Sequence, residues 1–154
     1  MKRPKFIIGE VLEIPLDDGK YGYARVLMRD WLGNLLEIFN EKTSEPMKSD
    51  GWSQSDFSRG GLYYVNSNSA KNRWNPVLTV KPKQSELVFP SFFFGTESSG
   101  WTVETGGEKR CIPAHRATYD ELIKRGYIHK ILWLAEDIER ALAKGEQLVW
   151  PGQK

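Results

Sequence analysis

Residues 9–39, GEVLEIPLDDGKYGYARVLMRDWLGNLLEIF, decide the fold class of this chain. Three runs in it are rich in β-branched and apolar residues: 9–14, 21–29 and 35–39. Asp18-Gly19 and Gly33-Asn34 supply turn signals between them, and Pro15 closes the first run because it has no backbone N–H for a central ladder. The stretch therefore predicts three consecutive β-strands.

The central run, 21–29, alternates clearly between two faces. One face is small and apolar, which suits close packing against another element: Gly22, Ala24, Val26 and Met28. The other face is larger and more polar: Tyr21, Tyr23, Arg25, Leu27 and Arg29.

The stretch 41–75 is rich in Ser, Asn, Gly and Lys and predicts a long loop, with at most a short strand at Tyr63-Tyr64-Val65. Gly60-Gly61 in this stretch is interpreted as a turn. Further strands are expected at these positions: 77–81, 87–89, and a hairpin of 101–105 with 109–112 around Gly106-Gly107.

The last forty residues predict two short helices. Thr118 and Glu121 form a capping-box pattern, and Lys124-Arg125-Gly126 ends that helix. A second helix is predicted to end at Gly145 and to place four apolar residues on one face: Leu134, Ile138, Ala141 and Leu142. The expectation is a single α+β domain over 1–154, mainly antiparallel, with a small twisted sheet or partly open barrel at 6–112 and a helical part at 118–145.

Composition and charge narrow the class of protein. The 154 residues are 40% hydrophobic and 27% charged, values typical of a globular chain rather than a disordered one. The net charge is +2, and acids and bases are spread evenly. One cysteine fits a reducing compartment. The apolar run Phe6-Ile7-Ile8 is too short for a signal-peptide core, so we expect a soluble, cytoplasmic protein without membrane contact.

The chemistry-bearing residues form no recognisable catalytic or metal-binding pattern. His115 and His129 are fourteen residues apart, which is not the spacing of a zinc-binding motif. His115 follows Cys111 by four residues, a spacing that does not by itself bring the imidazole within hydrogen-bond reach of the thiol. Phosphate-loop and nucleophile-elbow motifs are also absent from the sequence. We therefore expect no catalytic residue, no metal and no cofactor.

Nucleic-acid binding is one alternative that the residues leave open. In a small β-barrel, the face with Tyr21, Tyr23, Arg25 and Arg29 could present aromatic and basic groups to a single strand. The balanced charge argues against it, because such proteins rely on a positive field. We expect no nucleic-acid partner.

Aromatic residues are abundant, with six Trp, six Tyr and seven Phe. Trp31, Trp52 and Trp74 lie in polar contexts, and Trp, Tyr and Arg are the types enriched at interface hot spots. A single Trp in a loop more often packs onto a sheet, but one or two of the set are expected at an interface with another protein.

Residues 9–27, GEVLEIPLDDGKYGYARVL, resemble the opening of the Immunity protein 26 family. Members of this family are β-rich immunity proteins of bacterial polymorphic toxin systems. The resemblance implies that the chain binds and neutralises a cognate protein toxin. The two C-terminal helices lie outside the pattern and are expected as an addition specific to this chain.

The resemblance brings no catalytic residues with it. The predicted partner-binding positions are the outward-facing ones around this segment, to which the loop 41–75 is expected to contribute: Asp17, Asp18, Tyr21, Tyr23, Arg25 and Trp31. A phosphotriesterase-like hydrolase is the alternative that some relatives suggest, and metal content after purification would distinguish it. The identity of the toxin and the oligomeric state stay open.

Overall fold

A computed structural model describes residues 6–47 and 57–144 of the chain. Its strands are β1 (Glu10–Pro15), β2 (Tyr21–Arg29), β3 (Asn34–Phe39), β4 (Arg59–Val65), β5 (Asn75–Thr79), β6 (Phe92–Thr96), β7 (Gly100–Thr105), β8 (Glu108–Ile112), β9 (Ile128–His129) and β10 (Leu132–Trp133). Its helices are α1 (Ser67–Ala70), α2 (Tyr119–Lys124) and α3 (Ala135–Lys144), with a 3₁₀ turn at Gln84–Leu87. The α+β class, mainly antiparallel with two C-terminal helices, is confirmed.

The described residues form two compact units. The first contains 6–82 and 132–144, and the second contains 83–131. The expectation of one domain over 1–154 stays a prediction.

The first unit is built on a six-stranded sheet in the order β10-β4-β3-β2-β1-β5. Strands β1 to β4 form an antiparallel meander, β5 adds to the free edge of β1, and β10 pairs in parallel with β4. The first three strands and both turns lie where the sequence predicts them. In the first turn Gly19 has φ +82°, a conformation that glycine adopts without strain.

Both faces of β2 are covered, and residues Gly22–Leu27 are all buried. On the small face, a Cβ on Gly22 would come within 2.9 Å of Leu142 Cδ1, so α3 packs directly on the strand there. On the other face the Phe57 ring lies 5.4 Å from the Tyr23 ring and 5.5 Å from the Phe39 ring. The strand is therefore an interior element of its unit.

Helix α3 is held by ionic and indole contacts from the segment before β5. Trp74 is fully buried and its Nε1 donates to Glu139 at 2.9 Å. The Arg73 guanidinium binds the same carboxylate through Nε and Nη2. Burial alone would raise the pKa of Glu139, but these donors outweigh it and hold that pKa below its usual value. No helix in the described ranges is long and apolar enough to cross a bilayer.

The short strand allowed at Tyr63-Tyr64-Val65 is confirmed, but the prediction of loop for the rest of 41–75 is wrong in its second half. Residues Arg59–Val65 form β4, and Ser67–Ala70 form α1. Gly60 belongs to the strand rather than to a turn, because it lies at a bulge where a Cβ would meet Asn40 Oδ1 at 2.5 Å. The pair of glycines therefore marks a strand position on which side chains pack closely, Asn40 at Gly60 and Tyr63 at Gly61.

The second unit is a four-stranded sheet in the order β8-β7-β6-β9, with α2 packed on it. Its core joins the sheet and the helix: Phe93, Trp101, Val103, Ile112, Ala117 and Leu122. The predicted helix start is confirmed, because Thr118 Oγ1 accepts from the Glu121 N–H at 3.2 Å. The predicted hairpin is confirmed as β7 and β8, and Gly126, with φ +83°, follows α2 as expected.

Several short elements differ from the sequence expectation. Residues 87–89 form no strand, because Gln84–Leu87 turn as a 3₁₀ helix. Strand β6 was missed because Phe92-Phe93-Phe94 is a continuous apolar run without alternation. Leu134 precedes α3 and is exposed, whereas Ile138 and Ala141 are buried as predicted. The predicted end at Gly145 lies outside the described residues.

Candidate partner-binding surface

Asp17 and Asp18 lie exposed in the turn between β1 and β2. The turn is closed by the Leu16 N–H, which donates to the Lys20 carbonyl at 2.9 Å, and by the Lys20 N–H, which donates to Asp18 Oδ1 at 3.0 Å. Both carboxylates are therefore presented by a hydrogen-bonded hairpin end, as the sequence predicts.

Tyr21 is half-buried at the start of β2. Its backbone makes an isolated bridge with Thr43, with N–H to carbonyl distances of 2.8 and 2.9 Å in the two directions. The bridge ties the segment after β3 to the β1–β2 end of the sheet. Tyr21 is thus adjacent to the two aspartates and partly accessible to a partner.

Trp31 is 59% exposed in the turn between β2 and β3. The preceding residue, Asp30, fixes this turn: its N–H donates to the Gly33 carbonyl, its Oδ1 accepts from the Leu32 N–H, and its Oδ2 accepts from the Tyr64 hydroxyl at 2.7 Å. The turn that carries the exposed Trp31 indole is therefore already fixed by hydrogen bonds before a partner binds.

The predicted positions do not form one constellation. Asp17, Asp18 and Tyr21 lie at the start of β2, whereas Trp31 lies past its end. A nine-residue strand at about 3.3 Å per residue separates these two ends by roughly 27 Å. These residues are close in the sequence, but the extended strand between them places them at opposite ends of the sheet.

The prediction that Tyr23 and Arg25 face outward is wrong. Both are 0% exposed. Tyr23 packs against Thr43 and Phe57, and Arg25 is bound by Glu37 and reaches the Val80 carbonyl. The Tyr23 hydroxyl lies 2.7 Å from Thr43 Oγ1, and burial raises the pKa of the phenol. Neither side chain can touch a partner in this conformation.

Arg25 belongs to a buried ionic network. Its Nε and Nη2 bind Glu37 Oε1 at 3.0 and 2.8 Å, while Arg59 binds Glu37 Oε2 through Nε and Nη2 at 2.9 and 2.7 Å. Arg25 Nη1 also reaches the Val80 carbonyl at 3.4 Å. The network joins three strands, β2, β3 and β4, and reaches the residue after β5, so the arginine connects elements inside the unit.

Two exposed leucines, neither among the predicted partner-binding positions, add apolar surface on and just after β10. Leu132 on β10 and Leu134 after it are 37% and 47% exposed. A Cβ on Gly33 would lie 3.4 Å from Leu132 Cδ1, so this leucine borders the β2–β3 turn. Residues 131–134 read as ILWL, a run too short to classify without knowing that β10 is an edge strand.

The titratable groups are dispersed. No group of three or more His, Cys, Asp or Glu that could hold a metal ion occurs in residues 6–47 and 57–144. His129 stacks on Phe93 at 5.0 Å, and its burial lowers the pKa of the imidazole. His115 is exposed with φ +63°, and Cys111 is exposed on β8.

The match to a protein-family model identifies the family of this chain. A family model described as Immunity protein 26 matches residues 7–100, about three-fifths of the chain. The chain belongs to the Immunity protein 26 family. No curated protein and no solved structure matches it.

The Immunity protein 26 match extends well beyond the nineteen residues that carried the resemblance. It covers β1 to β6 and stops at Gly100, the first residue of β7. Within this family member, β10 and α3 lie outside the match and still complete the six-stranded sheet and its covered face. The two aspartates, Tyr21 and Trp31 all lie inside it.

Proposed function

We propose that this protein neutralises a cognate bacterial protein toxin by binding it and occluding its active surface. Membership of the Immunity protein 26 family supports the toxin as partner. The observation that supports binding through a preformed surface is Trp31, an exposed indole on a turn fixed by three hydrogen bonds. Trp is the residue type most enriched at interface hot spots.

The central contact in this proposal is the apolar patch, defined here as Trp31, Leu132 and Leu134. A fixed turn adds affinity because little conformational entropy is lost when the partner binds. Tyr21 with Asp17 and Asp18 is proposed as a second contact at the opposite end of β2, where the carboxylates would meet basic groups of the toxin. Tyr23 and Arg25 support these surfaces from inside the sheet.

The experiment needs a candidate toxin, which is sought first among the proteins encoded next to this one. Both purified proteins are mixed, separated by size-exclusion chromatography and weighed by mass spectrometry. Occlusion predicts a complex with a fixed stoichiometry in which the toxin keeps its mass and regains activity after denaturing separation.

A toxin that leaves the column alone would contradict the proposal. So would a toxin that is inactivated by far less than one equivalent of this protein, because a binding protein cannot turn over. A change in the mass of the toxin would point to covalent chemistry instead.

A further inference from the structure

The exposed apolar side chains of the first unit are concentrated at one end of its sheet. Among the large apolar side chains that are exposed in the described ranges, all but Val88 belong to this unit: Ile7, Ile8, Trp31, Leu132 and Leu134. Trp31 lies in the turn after β2, and β10 ends beside the last residue of β4, which pairs with the first residue of β3. The indole and both leucines therefore lie at the same end of the sheet.

Ile7 and Ile8 lie at this end too, on the other side of β2. Strand β1 runs antiparallel to β2, so its start lies beside the last part of β2. The Gly9 N–H donates to the Val26 carbonyl at 2.7 Å, and the Gly9 carbonyl accepts from the Val80 N–H at 2.7 Å. The two isoleucines precede Gly9 and therefore border the end of the sheet that carries the β2–β3 turn.

The turn that carries the isoleucines is fixed by hydrogen bonds. The Glu10 N–H donates to the Ile7 carbonyl at 3.0 Å, and the Ile7 N–H donates to Glu10 Oε1 at 2.9 Å. Gly9 has φ +94°, as the third residue of a type II turn requires, and this leaves Ile8 at the second position. Ile7 and Ile8 are 58% and 48% exposed on this turn. Like Trp31, they are presented by a backbone that is ordered before a partner binds, which favours affinity.

The opposite end of the sheet has a polar surface. In the β1–β2 turn Asp17, Asp18 and Lys20 are exposed, whereas Leu16 is 7% exposed. No large apolar side chain that the structure describes is exposed at that end. Single exposed apolar side chains are normal on a protein surface, but a group of them confined to one region is typical of an interaction site.

The apolar patch of Trp31, Leu132 and Leu134 is too small to hold a protein partner by itself. A specific interface buries about 800 Å² on each partner. A fully buried aromatic side chain supplies only about 150–250 Å², and these three side chains are at most 59% exposed. An interface centred on Trp31 must therefore extend over neighbouring surface, and Ile7 and Ile8 continue its apolar character at the same end of the sheet.

We propose that Ile7 and Ile8 contact the toxin, and that an apolar face of the toxin covers the whole apolar sheet end. The apolar sheet end is defined as Ile7, Ile8, Trp31, Leu132 and Leu134. Four strand spacings of about 4.8 Å separate β10 from β1, so the covering face spans roughly 19 Å. The proposal rests on the proposed function, because it extends the Trp31 contact to a second turn.

Cross-saturation NMR on the unmodified protein tests this without a variant that must fold. The chain is labelled at the methyl groups of Ile and Leu and mixed with the toxin that forms the complex in the size-exclusion experiment. Saturation of the toxin protons should weaken the methyl signals of Ile7, Ile8, Leu132 and Leu134. The methyl signals of Ile14, which is 0% exposed in the same sheet, should keep their intensity.

Substitution of both isoleucines measures the size of their contact. Ile7→Ser with Ile8→Ser removes apolar side-chain area and keeps the backbone groups of the turn. Because about half of each side chain is available to a partner, the double variant should bind the toxin about tenfold more weakly. Val88→Ser makes the same kind of change at an exposed β-branched residue of the second unit and should bind within about twofold of the unmodified protein.

The outcomes separate this proposal from the proposed function. A toxin that binds the unmodified protein, leaves the Ile7 and Ile8 signals unchanged and binds the double variant as tightly as Val88→Ser overturns the extended contact alone. A toxin that does not bind overturns the proposed function and the extended contact with it. Dimerisation of the chain without toxin, lost in the double variant, would assign the apolar sheet end to a second copy and overturn the toxin as its occupant.

Discussion

Strands β2 and β8 each carry an arginine in an alternating pattern, but the two arginines have opposite environments. Arg25 on β2 is fully buried and paired with Glu37, and both its neighbours along the strand are buried too. Arg110 on β8 is exposed at the edge of a sheet. The position of a strand within its sheet, and the residues that pack on it, therefore decide whether a polar side chain forms a buried ion pair or stays exposed.

The largest expected effect on stability is that of Arg25→Ala, and Arg110→Ala is the comparison. Arg25→Ala takes a bidentate partner from Glu37, a carboxylate that is 2% exposed, and leaves a cavity, so the free energy of unfolding should fall by about 3–5 kcal/mol. Arg110→Ala should change it by less than about 0.5 kcal/mol. Urea denaturation of both variants measures the difference.

Equal losses of stability in Arg25→Ala and Arg110→Ala would contradict the difference between the two environments. Replacing Tyr23 and Arg25 together should also lower the thermal midpoint strongly, because both side chains are interior. An unchanged thermal midpoint in this double variant would show that Tyr23 and Arg25 are not interior side chains.

A smaller loss is expected for the indole that holds α3. Trp74→Phe keeps an aromatic ring but removes the Nε1 donor to Glu139, a bond to a charged acceptor worth about 1.5–3 kcal/mol. Trp31→Phe, in the exposed turn, should change stability by about 0.5 kcal/mol or less. Chemical denaturation compares the two, and a Trp74→Phe variant as stable as Trp31→Phe would show that the buried donor adds nothing.

The smallest expected effect is a dependence of stability on pH in the second unit. Burial lowers the pKa of His129 below 6.5, so the unfolded chain binds a proton more readily than the folded one. Stability is then complete above the unfolded pKa and is lost as pH falls from about 6.5 towards the folded pKa. Thermal midpoints at about pH 7.5 and 5.5 should differ more for the unmodified protein than for His129→Phe.

The control for this measurement is His115, which is exposed on a left-handed backbone. His115→Asn suits that backbone and should retain the full pH dependence of the unmodified protein. A His129→Phe variant with an unchanged pH dependence would show that another group causes it.

Short-range signals in the sequence predict the first hairpins but not the distant residues that pack on their strands. Pro15, Asp18-Gly19 and Gly33-Asn34 act within a few residues, so β1, β2, β3 and their turns could be predicted. The burial of Tyr23 depends on Phe57 and Thr43, and that of Gly22 on Leu142, more than a hundred residues away. Alternation in one strand cannot reveal such distant partners.

The candidate surface follows the same rule. Asp17, Asp18, Tyr21 and Trp31 could be predicted as accessible because turns lie at sheet ends. Leu132 could not, because its exposure follows from a parallel pairing of β10 with β4 across more than sixty residues.

The dissociation constant of the complex with the cognate toxin tests the central claim most directly. Trp31→Ala should weaken binding about 30-fold or more, the effect of losing an interface hot spot. Val88→Ala, at a side chain 74% exposed in the second unit, is the matched control and should bind like the unmodified protein. A Trp31→Ala variant that binds as tightly as Val88→Ala would contradict binding through the preformed surface at Trp31.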